Sequence, residues 1–335
     1  MISRAQGLPV TITGLGCHVP SRVVSNDELA RIVDTSDEWI TTRTGIRERR
    51  VAADNEVMTD LALPASRRAL ELAGVRGEDL DLIIVATVTP DFTFPATAAL
   101  LADRLGAHDA AAYDLSAGCT GFMYALAQGY GMVAGGLTKK ALVVGGDILS
   151  RILDWSDRST VVLFGDGAGA VVLEQTERGG FLGFELGADG GGGMELTLPG
   201  GGSRRNGDNP EGYLRMNGRE VFKFATRVMV SSAEAVLEAC DRTVADIDVY
   251  VPHQANVRII DHATRKLGIP EEKVVVNLDR YGNTSSGSIP LALADAGDDG
   301  RLKPGRLVLM TGMGAGLTWG TALIEWTNEM TGATV

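Results

Sequence analysis

The segment ALELAGVRGEDLDLIIVAT, ending at Thr87, returns far along the chain as VLEACDRTVADIDVYVPH, ending at His253. The correspondence continues in order. Asp81 answers to Asp248, Leu105-Gly106 to Leu267-Gly268 and Gly118-Cys119 to Gly282-Asn283, at offsets of 167, 162 and 164 residues. FGDGAGAVVLE (164–174) then answers to GMGAGLTWGTALIEW (312–326). Four ordered matches at nearly constant spacing imply two similar halves, residues 1–175 and 176–335, meeting near residue 175.

The repeated unit has a readable class. LDLIIVAT (80–87), KALVVGGD (140–147), STVVLFGD (159–166), IDVYVPH (247–253) and RLVLMTG (306–312) are short β-branched runs, each expected to be a strand buried on both faces. Leu61–Ala73, Thr97–Leu105, Glu220–Ala239 and Val257–Leu267 are amphipathic and expected to be helices. Alternation of the two implies an α/β protein with mainly parallel sheets. The glycine-rich stretch 187–212 is expected to be a flexible surface insertion in the second half.

Composition narrows the function classes. Forty-four per cent of the 335 residues are hydrophobic and 22% charged, which suits a soluble globular protein with a large core. A formal net charge of −12 disfavours nucleic acid and anionic membrane as partners. No window approaches the roughly 18 apolar residues of a membrane span, and the first residues lack the pattern of a secretory signal. Three cysteines form no disulfide framework, so a reducing cytoplasm is the expected compartment. Among motifs, the G-x-G-x-G of Gly165–Gly169 precedes a strand, whereas a dinucleotide loop must open a helix. There is no P-loop, HExxH or CxxC, and the four histidines have no metal-ligand spacing, so no metal site is expected.

Cys17 and Cys240 have the context of small buried hydrophobes. Cys119 lies in DLSAGCTGFMYALAQG, a strand, a small-residue turn and a helix. There it would stand at a helix N-terminus, where the dipole and free N–H groups favour a thiolate and could hold an oxyanion. A buried structural cysteine fits the same segment equally well. Of the histidines, His18, His108 and His262 have structural or solvated contexts. His253 ends a buried-type strand, the position where open α/β sheets carry ligands. Asn283 occupies the duplicated counterpart of the Cys119 turn, so pseudo-symmetry brings Cys119, Asn283 and His253 toward one place between the halves.

At these residues the chain resembles β-ketoacyl-acyl carrier protein synthase III, within the thiolase-fold superfamily. The likeness is carried by NDELARIVDTSDEWITTRTGIRERR (26–50), DLSAGCTGF (114–122), DRSTVVLFGDGAGAVVLE (157–174), PHQANVRII (252–260), YGNTSSGSIPLAL (281–293) and GMGAGLTWG (312–320). The resemblance implies a thiolase fold, with duplicated βαβα halves in a five-layer αβαβα arrangement, and a homodimer. It implies a chain-initiating condensing enzyme that loads an acyl-CoA on Cys119 and condenses it with malonyl-acyl carrier protein, with His253 and Asn283 stabilising the enolate. A priming ketosynthase of a polyketide pathway, using a non-acetyl starter, is the alternative. Coenzyme A thioester enters as substrate, and no resident cofactor is implied.

Further positions carry over by motif. The backbone N–H groups of Cys119 and Ala315 would form the oxyanion hole; the family often has Gly where Ala315 stands. Thr35, Trp39, Arg43, Arg158, Gly218, Phe222 and Asn256 would line the coenzyme A path, with Trp39 and Arg158 sandwiching adenine. Val88, Phe94 (reaching across a dimer), Leu149, Leu163 and Phe164 match positions around the acyl pocket. Lys223, Arg258, Arg265 and Lys266 would form a basic island that steers the acidic carrier protein.

Overall fold

The computed structural model describes residues 1–199, 203 and 212–334. Its strands in chain order are β1 (Ile2–Arg4), β2 (Val10–His18), β3 (Arg22–Ser25), β4 (Glu48–Val51), β5 (Leu82–Ala86), β6 (Ala111–Leu115), β7 (Lys140–Asp147), β8 (Gly167–Gln175), β9 (Gly180–Ala188), β10 (Leu196–Thr197), β11 (Arg215–Met216), β12 (Val249–Pro252), β13 (Leu307–Gly314) and β14 (Thr318–Glu325). The α-helices are α1 (Asn26–Leu29), α2 (Asp37–Thr44), α3 (Met58–Ala73), α4 (Thr97–Leu105), α5 (Gly121–Ala134), α6 (Arg158–Val161), α7 (Gly218–Ala239), α8 (Val257–Leu267), α9 (Leu278–Tyr281) and α10 (Ser288–Asp298).

Two five-stranded sheets hold the duplication. One runs β2-β8-β7-β5-β6, the other β1-β9-β14-β13-β12. In the first, β6, β5 and β7 are parallel and β8 and β2 antiparallel. The second repeats this as β12, β13, β14 and β9, and a parallel bridge from Tyr250 to Val274 stands where β6 stands in the first. β1 is an added edge strand, so the first residues of the chain join the second sheet.

Alternation along the strands builds the layers. Leu82, Ile84 and Ala86 of β5 pack with Phe122 and Leu126 of α5, Ile289 and Leu293 of α10, and Val249 and Val251 of β12. The residues between them, Ile83 and Val85, face Leu61 of α3 and Leu101 of α4. On the far side, Tyr250 and Leu309 pack with Val228 of α7 and Ile260 of α8. Strands covered on both faces need apolar residues at consecutive positions, which is why the sequence reads as unbroken β-branched runs. The result is α3/α4, sheet, α5/α10, sheet, α7/α8: five layers.

Three expectations change. The two large sheets are mixed, not mainly parallel: β5 pairs in parallel with β6 and β7, and β12 with β13, while their other ladders among the described residues are antiparallel. STVVLFGD (159–166) is not a strand: the Asp157 side chain accepts the N–H of Ser159 at 2.8 Å and starts the short helix α6, and the strand begins at Gly167. The stretch 187–212 falls partly outside the described residues. Within them it is not simply a loop, because Leu196–Thr197 pairs with Arg215–Met216 and Leu196 is buried.

Candidate active site

β6 runs into a 3-10 turn, Gly118–Thr120, and then α5. Gly118 has φ +55, a conformation that suits glycine. The turn meets the β13–β14 hairpin backbone to backbone. A Cβ on Gly118 would fall 2.9 Å from the Ala315 nitrogen, and one on Gly314 would fall 2.6 Å from the Cys119 nitrogen. Thr318 fastens the contact, its hydroxyl lying 3.0 Å from the Ala117 carbonyl and 2.8 Å from that of Ala315. The two backbone segments that carry the N–H groups expected to share an oxyanion are thus in close contact.

Cys119, His253 and Asn283 line one cavity of about 230 Å³. All three are buried. His253 follows β12, and its Nδ1 lies 2.5 Å from the Ser288 hydroxyl at the start of α10. The Gln254 N–H reaches that hydroxyl oxygen at 3.4 Å, and a serine proton given to Nδ1 would put the ring proton on Nε2. Burial pushes the imidazole down to about 3, and it is neutral in any ordinary buffer. Asn283 follows α9, and its Oδ1 accepts the N–H of Ser285 at 2.9 Å. That bond fixes the amide and leaves both Nδ2 hydrogens free to donate.

Burial also pushes the Cys119 thiol up, to about 11; a hydrogen bond from Ser285 opposes the shift and the charge of Asp147 adds to it. The helix end that should favour a thiolate is where the sequence puts it, but desolvation outweighs it.

The remaining predicted positions divide. Gly218, Phe222 and Asn256 line the same cavity, with Gly218 opening α7 and the Asn256 side chain capping α8 by accepting the N–H of Arg258 at 2.9 Å. Thr35, Trp39, Arg43 and Arg158 do not line it. Three of them cluster instead: the guanidinium carbons of Arg43 and Arg158 lie 4.7 and 5.1 Å from the centre of the Trp39 ring. Thr35 keeps a buried hydroxyl with no hydrogen-bond partner among the described residues. Leu163 and Phe164 border the cavity, while Val88, Leu149 and Phe164 line a larger, open one of about 1590 Å³ that also reaches Cys119. With Leu153, Ile152 and Leu214 these four make one apolar cluster. Phe94 lines neither cavity and is 84% exposed. Lys223 on α7 and Arg258, Arg265 and Lys266 on α8 are exposed. Lys223 pairs with Glu220 at 2.6 Å, and Arg258 sits over the Phe222 ring at 5.7 Å.

Two family models match the chain, 3-oxoacyl-[acyl-carrier-protein] synthase III over residues 113–190 and its C-terminal part over 237–326. The β-ketoacyl-[acyl-carrier-protein] synthase III of Symbiobacterium thermophilum is 55% identical over 325 residues, 95% of this chain and 98% of that one. The chain belongs to the 3-oxoacyl-[acyl-carrier-protein] synthase III family. It is a condensing enzyme of the acyltransferase type with a thiolase fold. The Thermus thermophilus synthase III crystal structure superposes with a TM-score of 0.89 at 52% identity, covering 95% of this chain and 99% of that one. The priming β-ketosynthase of the R1128 polyketide pathway reaches 0.91 at 38% identity, covering 97% and 98%.

Three residues of this synthase III site escape a reading of the sequence. Ser288 orients His253 from 35 positions away. Ser285 and Asp147 are the neighbours that act on the Cys119 thiol, the first lowering and the second raising its pKa. The only signal is that the apolar strand LVVGGD ends in a carboxylate at the edge where ligands bind.

Proposed function

We propose that the protein initiates acyl chains. An acyl group passes from an acyl-CoA to Cys119, coenzyme A leaves, and malonyl-acyl carrier protein enters, loses CO2 and attacks the bound acyl group to give a 3-ketoacyl-acyl carrier protein. One observation carries this reading: a neutral buried imidazole, His253, and the amide of Asn283, whose Nδ2 is left to donate, share one cavity with a single thiol. Decarboxylation leaves a carbanion whose charge moves to the thioester oxygen. Preorganised neutral donors stabilise that charge in the transition state at no cost of burying a cation beforehand. No resident cofactor is needed for these steps.

The N–H groups of Cys119 and Ala315 would hold the acyl carbonyl oxygen. Gly218, Phe222 and Asn256 would border the pantetheine channel, and Thr35, Trp39, Arg43 and Arg158 its outer end. There a guanidinium that lies against the Trp39 ring would have to move to admit adenine. The basic residues of α7 and α8 would receive the acidic carrier protein. Each half, 1–175 and 176–335, supplies part of the machinery, and the cytoplasm, where coenzyme A thioesters are made, is its place of action.

The test is to weigh the intact protein after incubation with acetyl-CoA and longer or branched acyl-CoAs. A single acyl adduct that disappears in Cys119→Ala is expected; no adduct with any primer, or one that survives the substitution, would sink the reading. The likeness to a polyketide priming ketosynthase favours a second reading of the pathway, a non-acetyl starter. The apolar wall of Val88, Leu149, Leu153 and Leu214 would accept one. Comparing kcat/KM across the primers decides between them.

A further inference from the structure

One buried cation takes no part in the condensation chemistry above. Arg49, on β4, is 1% exposed and has no ion pair among the described residues. Its donors go to neutral oxygens: Nη1 to the Val24 carbonyl at 3.1 Å and to Asn26 Oδ1 at 2.8 Å, and Nη2 to the Val162 carbonyl at 2.9 Å. Its Nε is buried with no hydrogen-bond partner among the described residues. Burial pushes the guanidinium down to about 10, so it still carries its charge near neutral pH. Burying a charge against neutral acceptors is costly, and a well-packed apolar side chain would serve the stability of the fold as well or better.

The arginine lies behind Asn283. Its Nη2 holds the Val162 carbonyl, and the residues that follow hold Asn283. The Asn283 N–H donates to the Leu163 carbonyl at 2.9 Å, and the Gly165 N–H donates to the Asn283 carbonyl at 3.0 Å. The Arg49 stem packs against the same two segments: a Cβ on Gly165 would fall 3.0 Å from the Arg49 Cβ, and one on Gly282 would fall 3.3 Å from it. At the other end of the fork Asn26 is itself fixed, its Nδ2 donating to the Ile46 carbonyl and to Asp37 Oδ1, both at 2.8 Å. The Ser285 N–H orients the Asn283 amide. The place of that amide in the cavity is set by the backbone that Leu163 and Gly165 hold.

We propose that Arg49 is a positioning residue for Asn283, fixing residues 162–165 so that Asn283 Nδ2 stands where the enolate oxygen forms during malonyl decarboxylation. The inference rests on the reading of Asn283 as a donor to that oxygen. Hydrogen bonds from a charged donor are stronger than neutral ones, and the planar fork ties β3, the start of α1 and the end of α6 together at once. A donor to a developing oxyanion works only if it is in place before the charge appears. Displacing it by about 1 Å can cost about 100-fold in rate. The nucleophile is held by different contacts, since the Cys119 turn is fastened to the β13–β14 hairpin through Thr318. The two half-reactions should therefore respond differently to the loss of Arg49.

The experiment separates both the half-reactions and the residues. Arg49→Met removes the donors and the charge and keeps the stem. Acylation by acyl-CoA is followed by rapid-quench intact mass with Cys119 present. CO2 release from malonyl-acyl carrier protein is measured in the Cys119→Ala background. Each is done for the parent, Arg49→Met, Asn283→Ala and the two combined. Arg49→Met should slow decarboxylation by about 10- to 100-fold, in kcat rather than KM, and leave acylation within about twofold. Added to Asn283→Ala it should slow decarboxylation no further, because the residue it acts through is gone. If Arg49→Met does not fold, Arg49→Lys, which keeps a cation without the fork, carries the same comparison with a smaller fall. Parent decarboxylation in the Arg49 variant, equal falls in both half-reactions, or effects of Arg49 and Asn283 that multiply, overturn the positioning role. Decarboxylation at the parent rate in Asn283→Ala would instead overturn the reading of Asn283.

Discussion

His253 is more useful as a donor the harder it is to protonate, and its surroundings press in one direction. Burial lowers its folded pKa from 6.5 to about 3. The unfolded chain therefore binds a proton that the folded chain refuses between these values, and folding loses stability as pH falls from 6.5 toward 3. Below about pH 6 the loss approaches 1.4 kcal/mol per pH unit for one such group. Replacing His253 by Gln should remove this contribution, so the urea midpoint of the variant should fall less steeply than that of the parent between pH 6.5 and 5; parallel curves would contradict it. Ser288→Ala tests the tautomer. Without its hydroxyl proton, Nδ1 is free to take the ring proton and Nε2 ceases to donate. A fall of about tenfold in malonyl decarboxylation, the worth of one net hydrogen bond, is expected with little change in acylation. Cys119, His253 and Asn283 are legible in the sequence because duplication and strand ends locate them. Ser285 and Ser288 are not: hydroxyls occur in every turn, and only the folded chain shows which nitrogen or sulfur one of them meets.

At the scale of elements, α4 and α8 have the bounds expected of them because each ends at a glycine with a left-handed backbone, Gly106 at φ 73 and Gly268 at φ 74. That signal is local and chemical. STVVLFGD misleads for the opposite reason. Its β-branched residues match a strand, yet an aspartate just ahead caps a helical turn, and Gly165 passes so close to the Tyr281 carbonyl that a Cβ would lie 2.2 Å from it. A tertiary approach of this kind leaves no trace in a single segment. α7 and α8 present the basic island, but not evenly. Lys223 is partly neutralised by Glu220, and Arg258 is engaged with Phe222. Arg265 and Lys266, in the last turn of α8, have no ion pair among the described residues. Reversing both to Glu should raise KM for malonyl-acyl carrier protein several-fold at low salt. The effect should shrink toward unity at high ionic strength, as expected of long-range steering. A salt-independent change would assign these residues to a direct contact instead.

Across the whole molecule, the two halves are stitched at their ends. β1 pairs with β9 of the second sheet, and Thr334 near the C-terminus bridges to Cys17 of β2. One surface is left unfinished. Phe92 and Phe94 are 59% and 84% exposed, and Phe92 borders the 1590 Å³ cavity that reaches Cys119. Fully burying a phenylalanine is worth about 1.5–3 kcal/mol, so a pair of them beside an open apolar wall favours a protein partner there. A second copy of the chain is the expected occupant, its Phe94 closing the acyl cavity of the first, and the same contact made twice is what a two-fold dimer requires. Light scattering should give twice the 35.3 kDa chain mass at micromolar concentration. Phe94→Asp places a charge where that contact forms and should shift the protein toward monomer. It should also lower the kcat/KM of acyl-CoA primers by opening the cavity to water, while thermal unfolding of the isolated chain changes little because the side chain is largely exposed in it. A monomeric parent protein, or a dimeric Phe94→Asp with unaltered primer preference, would place the interface elsewhere.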